Sequence, residues 1–165
     1  MLDYPTFDFD QIDFVTSDTH FSHARISELA GRPYSTVEEM NADLVRRWND
    51  TVSPGSVVLH LGDVALGPIE ESIALTARLN GRRLLVPGNH DRVSPATQSK
   101  RAIERFLPMY EAAGWEIGSH TALHEKATKV DDATCEAEFA GSREKIAAEI
   151  EGDCAALAYP FGLYD

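Results

Sequence analysis

Three short apolar runs, each stopping at a polar cluster, constrain this chain more than any other feature. Ile12 to Thr16 runs into Ser17, Asp18, Thr19 and His20; Ser56 to Leu61 stops at Gly62 and Asp63; Leu84 to Val86 stops at Pro87, Gly88, Asn89, His90 and Asp91. Runs of this length bounded by turn residues read as buried strands. The first interval holds a helix with a capping box, Thr36 followed by Glu39, and Met40, Leu44 and Trp48 on one face. In the second, Pro68 opens a pattern through Ile69, Ile73 and Leu79 that Gly81 stops. Beyond His90, Ile103, Phe106, Leu107 and Tyr110 make another stripe, ended by Gly114. Alternating strands and helices predict an α/β domain, in which the carboxyl ends of the strands share one rim. Asp18, Asp63 and His90, distant in sequence, are therefore expected side by side.

Those residue types suit metal-assisted hydrolysis. Asp18 and His20, two apart at a strand end, can ligate one ion, and Asp63 can bridge to a second one held by Asn89. His90 stands beside the metals as a proton donor, with Asp91 expected to orient its ring. Mixed nitrogen and oxygen ligands favour Mn, Fe, Ni or Zn over Mg or Ca. His23 and Arg92 are candidate rim groups for metal or substrate. His60, inside its strand, is expected in the core or behind the ligands.

Composition narrows the partners. Fifteen basic against twenty-seven acidic residues leave a formal charge of -12, unfavourable for gripping long duplex nucleic acid. The start, MLDYPTFDFD, lacks the pattern of a signal peptide, and no run approaches a membrane span, so a cytoplasmic location is expected. Cys135 and Cys154 stand far apart and suggest free thiols. The 165 residues are expected to form a single domain. After Gly114 the pattern fades, with Ser142 expected to cap a helix containing Ile146 and Ile150, and Ala155 to Tyr159 a short last strand.

The ordered strings TSDTHFSHARI, RPYSTVEEMNADLVRRWN, VVLHLGDVAL and LNGRRLLVPGNHDR resemble the calcineurin-like metallophosphoesterase family, in its small bacterial and phage branch. The resemblance covers roughly residues 12 to 92. It implies a four-layer α/β/β/α sandwich of two mixed sheets, and two divalent ions, Mn favoured. Asp18 and His20 would hold the first ion, Asp63 would bridge, Asn89 would hold the second, and His90 would be the acid. It further implies hydrolysis of small phosphate esters or nucleotides, with phosphodiesters favoured and cyclic nucleotides among the candidates.

The second half departs from that pattern. The family's Gly-His-x-His pair has no counterpart beyond His120 and His124, and Ala158 stands where a histidine of the last strand is expected. Three explanations stay open: His120 and His124 serve as ligands, the chain is truncated or altered with a weak second site, or a neighbouring chain supplies the ligands. The alternative to an enzyme is a degenerate member that acts by binding. Oligomeric state is not legible.

Overall fold

The computed structural model of the chain describes residues 9–95, 97–118 and 129–149. Strands β1 (Phe14–Thr16), β2 (Val57–His60), β3 (Arg82–Leu85) and β4 (Trp115–Ile117) form one sheet in the order β1-β2-β3-β4. Every pairing is parallel: Phe14 lies opposite Val58, Val58 opposite Arg83, and Arg83 opposite Trp115. The connections carry helices α1 (Ile26–Ala30), α2 (Val37–Thr51), α3 (Ile69–Thr76) and α4 (Lys100–Ala112). Parallel neighbours cannot be joined by a tight hairpin and need such crossovers.

The expected four-layer sandwich of two mixed sheets is corrected here. Among the described residues there is one sheet, wholly parallel and flanked by helices, because each connection between its strands is a helical crossover. The expected last strand, Ala155 to Tyr159, lies outside the described residues.

Sequential strand order gathers the crossover helices on one face. There Val45, Ile73, Leu107 and Tyr110 pack with Leu85, Trp115 and Ile117. Burying each large apolar side chain contributes about 1.5–3 kcal/mol. On the other face Leu59, Leu84 and Val86 form a second cluster with Ile12 and Val57.

The helix starts follow local chemistry. Thr36 Oγ1 accepts the Glu39 N–H at 3.1 Å, while the Glu39 carboxylate accepts the Ser35 N–H at 3.0 Å, one residue beyond the N-cap N–H that the expected box would engage. Pro68 is the N-cap of α3, which stops at Thr76, so Leu79 reaches the core from the following turn. A buried cation closes two helices at once. Arg83 donates to the carbonyls of Thr76, the last residue of α3, and Ala113, the C-cap of α4, placing positive charge at both negative helix ends. Gly114, at φ 84°, leaves the room this requires, since a Cβ there would strike the guanidinium.

A fifth helix, α5 (Asp132–Glu149), runs through the region where the sequence pattern fades. Ser142 is inside it rather than capping it, with Oγ donating to Phe139 O at 3.0 Å. The start is held by Asp131, whose carboxylate accepts the Thr134 N–H at 2.8 Å; that bond lowers its pKa. Among the described residues no helix is long and apolar enough to cross a membrane.

Candidate metal centre

The rim at the carboxyl ends of β1 and β2 is built from strained backbone. Asp18, His20, Ser22 and Asp63 have φ of 54°, 52°, 60° and 58°, left-handed values that non-glycine residues seldom adopt. Each costs on the order of 1–3 kcal/mol, and such strain concentrates at functional sites. What holds it is pairing that continues past the strands: Asp18 N–H donates to Gly62 O, His20 N–H to Asp63 O, and Phe21 N–H to Val64 O, at 3.0, 3.0 and 2.8 Å. Arg32 clamps the same turn, donating to Asp18 O at 2.7 Å and Thr19 O at 2.8 Å.

The result is a convergence of donors. Ligand atoms of Asp18, His20 and Asp63 all lie within 4.8 Å of one another, a group able to hold a metal ion. His20 is 7% and Asp63 9% exposed, whereas Asp18 faces solvent, so the cluster is open on one side. The set fits a first-row divalent ion: one imidazole and two carboxylates supply mixed donors, and the buried His20 ring turns Nε2 towards Asp18 Oδ1 at 3.5 Å. One triad of this kind is present among the described residues; the expected second ion has no such cluster there.

Asp91 sits elsewhere than expected. Rather than backing the His90 ring, its fully buried carboxylate accepts the N–H groups of Asp63, Gly88 and Val64, at 2.8, 2.8 and 3.0 Å. It is a pin through the turn that carries Asp63. Burial pushes its pKa up to about 6, against the pull of those N–H groups. The neighbouring turns approach so closely that glycine is required: a Cβ on Gly88 would lie 2.8 Å from Asp63 N, and one on Gly62 would strike Gly88.

His60 lies behind the site. Its Nδ1 accepts the Gly62 N–H at 3.1 Å, so the proton is on Nε2, which faces Thr19 Oγ1 at 3.1 Å. Thr19 in turn donates to Val64 O at 3.0 Å. This chain of bonds ties the Asp18 turn to the Asp63 turn through a neutral imidazole, whose pKa burial lowers to about 4.

His90 is exposed on the rim, its backbone N–H donating to Asp63 Oδ1 at 3.0 Å and its ring 5.7 Å from that of His20. The His23 ring is 5.2 Å from His20 on the other side; burial lowers its pKa, and His20 and His90 add to the effect. Asn89 is exposed on the same loop as His90, its carbonyl accepting Thr97 Oγ1 at 3.0 Å. Arg92 is exposed, and its N–H reaches Tyr110 Oη at 3.4 Å. His120 and His124 lie outside the described residues. Sequence reasoning missed Arg32, Thr19 and Asn41, whose contacts are tertiary; no spacing signals them.

A relative from Methanocaldococcus jannaschii, the uncharacterized protein MJ1445, is 42% identical over 126 residues, 67% of this chain and 70% of its own length. The chain belongs to that protein's family. Two further relatives, the gene 66 proteins of Mycobacterium phages L5 and D29, are 34% and 33% identical. The matches cover 50% and 56% of this chain but only 41% and 47% of the phage proteins, so less than half their length is spanned. A solved Aquifex aeolicus protein of unknown function, AQ665, aligns over 92% of this chain and 78% of its own at 20% identity, with a TM-score of 0.44. The family model that matches is polysaccharide deacetylase, over residues 96–165.

That last match corrects the calcineurin-like expectation. The phosphoesterase activity, the phosphodiester preference and the phosphate-ester or nucleotide substrate drawn from the resemblance are all set aside by it. The metal-ligand triad stands, because it rests on geometry. The physical reason for the split is that Asp, His and Asp donors specify a cation and not the bond cleaved beside it. Asp18, His20 and Asp63 precede the matched residues.

Proposed function

We propose that the protein is a metal-dependent hydrolase that removes N-acetyl groups from a polysaccharide. The observation that carries the hydrolase is the convergence of Asp18, His20 and Asp63; the match of residues 96–165 to polysaccharide deacetylases supports the substrate class. A formal charge of -12 does not oppose it, since a neutral acetylated sugar chain is not repelled by an acidic surface.

Asp18, His20 and Asp63 would hold the ion, with Mn, Fe, Ni or Zn all suited to the donor set. When bound, such an ion supplies Lewis acidity to an acyl oxygen and acidifies a water. The chain's own groups supply position and protons. The pinned turn at Asp63 fixes the carboxylate, and the His60–Thr19 link sets its separation from the Asp18 turn. His90, exposed beside His20, donates a proton from its imidazole to the departing nitrogen as the C–N bond breaks. Water supplies the new C–O bond; the products are acetate and the sugar amine. Asp91, enclosed by backbone N–H groups, takes no part in proton transfer.

The test is acetate release from an N-acetylated chito-oligosaccharide by metal-loaded protein, with bound metal counted on the same sample. Native protein should release acetate, and His90→Ala should be slower by about 10² or more. No acetate with Mn, Fe, Ni or Zn from a folded, metal-loaded sample would reject the deacetylase reading.

A further inference from the structure

The three donors of the triad are not held alike. His20 and Asp63 are buried, and the packing around them leaves little freedom. The turn beyond His20 is fastened by Asn41, which accepts the Ser22 N–H at 2.9 Å and donates to Ser22 Oγ at 3.0 Å. One oxygen of Asp63, Oδ1, accepts the His90 N–H at 3.0 Å. The Asp18 side chain is 64% exposed and has no such packing, so in solvent it would turn among its rotamers unless something held it.

Two contacts aim it. Arg32 fixes the backbone, through its bonds to Asp18 O and Thr19 O, at a residue whose φ is 54°. Ser17 fixes the carboxylate: its Oγ donates to Asp18 Oδ2 at 2.6 Å, within the range of about 2.5–2.7 Å for a hydroxyl bonded to an ionised carboxylate. With Oδ2 engaged, Oδ1 faces His20 Nε2 at 3.5 Å. That separation exceeds the roughly 2.7–3.2 Å of an N–H···O hydrogen bond. It matches two ligands of one ion, since bonds of about 2.0–2.2 Å at tetrahedral or octahedral angles set donor atoms roughly 3.0–3.5 Å apart. Each carboxylate of the triad thus has one oxygen on a protein donor and the other without one.

We propose that Ser17 is a positioning residue that makes Asp18 a one-oxygen ligand and thereby tunes the site to Zn. Three donor atoms, one nitrogen and two oxygens, then come from the chain, as in catalytic zinc sites that leave a position for water. Without the Ser17 hydroxyl the exposed carboxylate can chelate through both oxygens, raising the coordination number towards what Mn prefers. The proposal rests on the reading that the triad holds a metal, and it adds what selects the ion.

The experiment titrates Zn and Mn by calorimetry into the full-length chain, native and with Ser17→Ala, Ser17→Val or Ser17→Thr; valine and threonine share a shape and differ by the hydroxyl. Melting curves of the metal-free samples establish that each variant is folded, and the Val form serves should the Ala form fail. Zn affinity should fall about tenfold in the Ala and Val forms, the low end for a group that hydrogen-bonds a ligand because Ser17 is exposed. Mn affinity should hold or rise in both, and the Thr form should bind as native protein does. The preference for Zn over Mn therefore narrows only where the hydroxyl is missing. An unchanged preference in the Val form would overturn the proposal, as would equal losses in the Val and Thr forms, which would assign Ser17 to the packing of the turn. Native protein that binds neither ion would overturn it together with the triad reading, whereas native Zn binding with no difference between Val and Thr overturns this step alone.

Discussion

Replacing Asp91 separates the two roles open to it, a partner of His90 or a pin for the Asp63 turn. The carboxylate accepts three backbone N–H groups, from Asp63, Val64 and Gly88, and is itself fully buried. A hydrogen bond to a charged group contributes about 1.5–3 kcal/mol. Asp91→Ala strands all three donors, a loss of about 4.5–9 kcal/mol, against a total of about 5–15 for an ordinary domain. Asp91→Asn keeps one oxygen; with that oxygen on the Asp63 and Gly88 side, its amide opposes the Val64 N–H, and the loss is about 2–4 kcal/mol. Urea unfolding at pH of about 7.5, where a group with a pKa of about 6 is ionised, reads both through tryptophan fluorescence. Metal titration of the Asn variant should show weaker binding, because the pinned turn is what holds the Asp63 carboxylate. Stability and metal affinity unchanged in Asp91→Asn, with hydrolysis lost, would refute the pin and restore the ring-orienting role.

Three other outcomes follow from the same geometry. Gly88→Ala should cost about 1–3 kcal/mol by overpacking and weaken metal binding, since its Cβ meets the Asp63 backbone and carboxylate; calorimetry showing native affinity would argue against it. His60 takes its proton in the unfolded chain first, because its folded pKa of about 4 lies below the ordinary 6.5. Its contribution is therefore complete above about pH 6.5 and lost as pH falls towards 4, by about 3 kcal/mol in all. His60→Gln cannot titrate, so the stability gap to native protein should narrow on acidification; a gap constant with pH would contradict this. Arg83→Met should lower the melting temperature by removing the donors that serve Thr76 and Ala113, about 2–4 kcal/mol, without changing metal affinity.

The alternation of strand and helix was legible along the chain, because apolar runs, helix stripes and turn residues are local and repeat in order; the single, wholly parallel sheet was not, since two mixed sheets were expected. The positions of Asp18, His20 and Asp63 at strand ends were legible for the same reason, and their donor types already pointed to a cation. The first half of helix α5 was not, since it has no clear apolar stripe and its start depends on one capping aspartate; a helix through Ile146 was expected, but with its start at Ser142. Nor was the reaction legible: the donors chosen for a metal are indifferent to whether a phosphorus or an acyl carbon lies beside it, and the expected phosphoesterase rested on resemblance alone. Only tertiary structure decided that Asp91 grips the Asp63 turn instead of His90, and that His60 links two loops as a neutral ring. It also decided that left-handed backbone at Asp18, His20 and Asp63 is tolerable. Each depends on backbone groups tens of residues away, which no spacing in the chain encodes, and on burial that makes an unpaired polar atom too costly to leave.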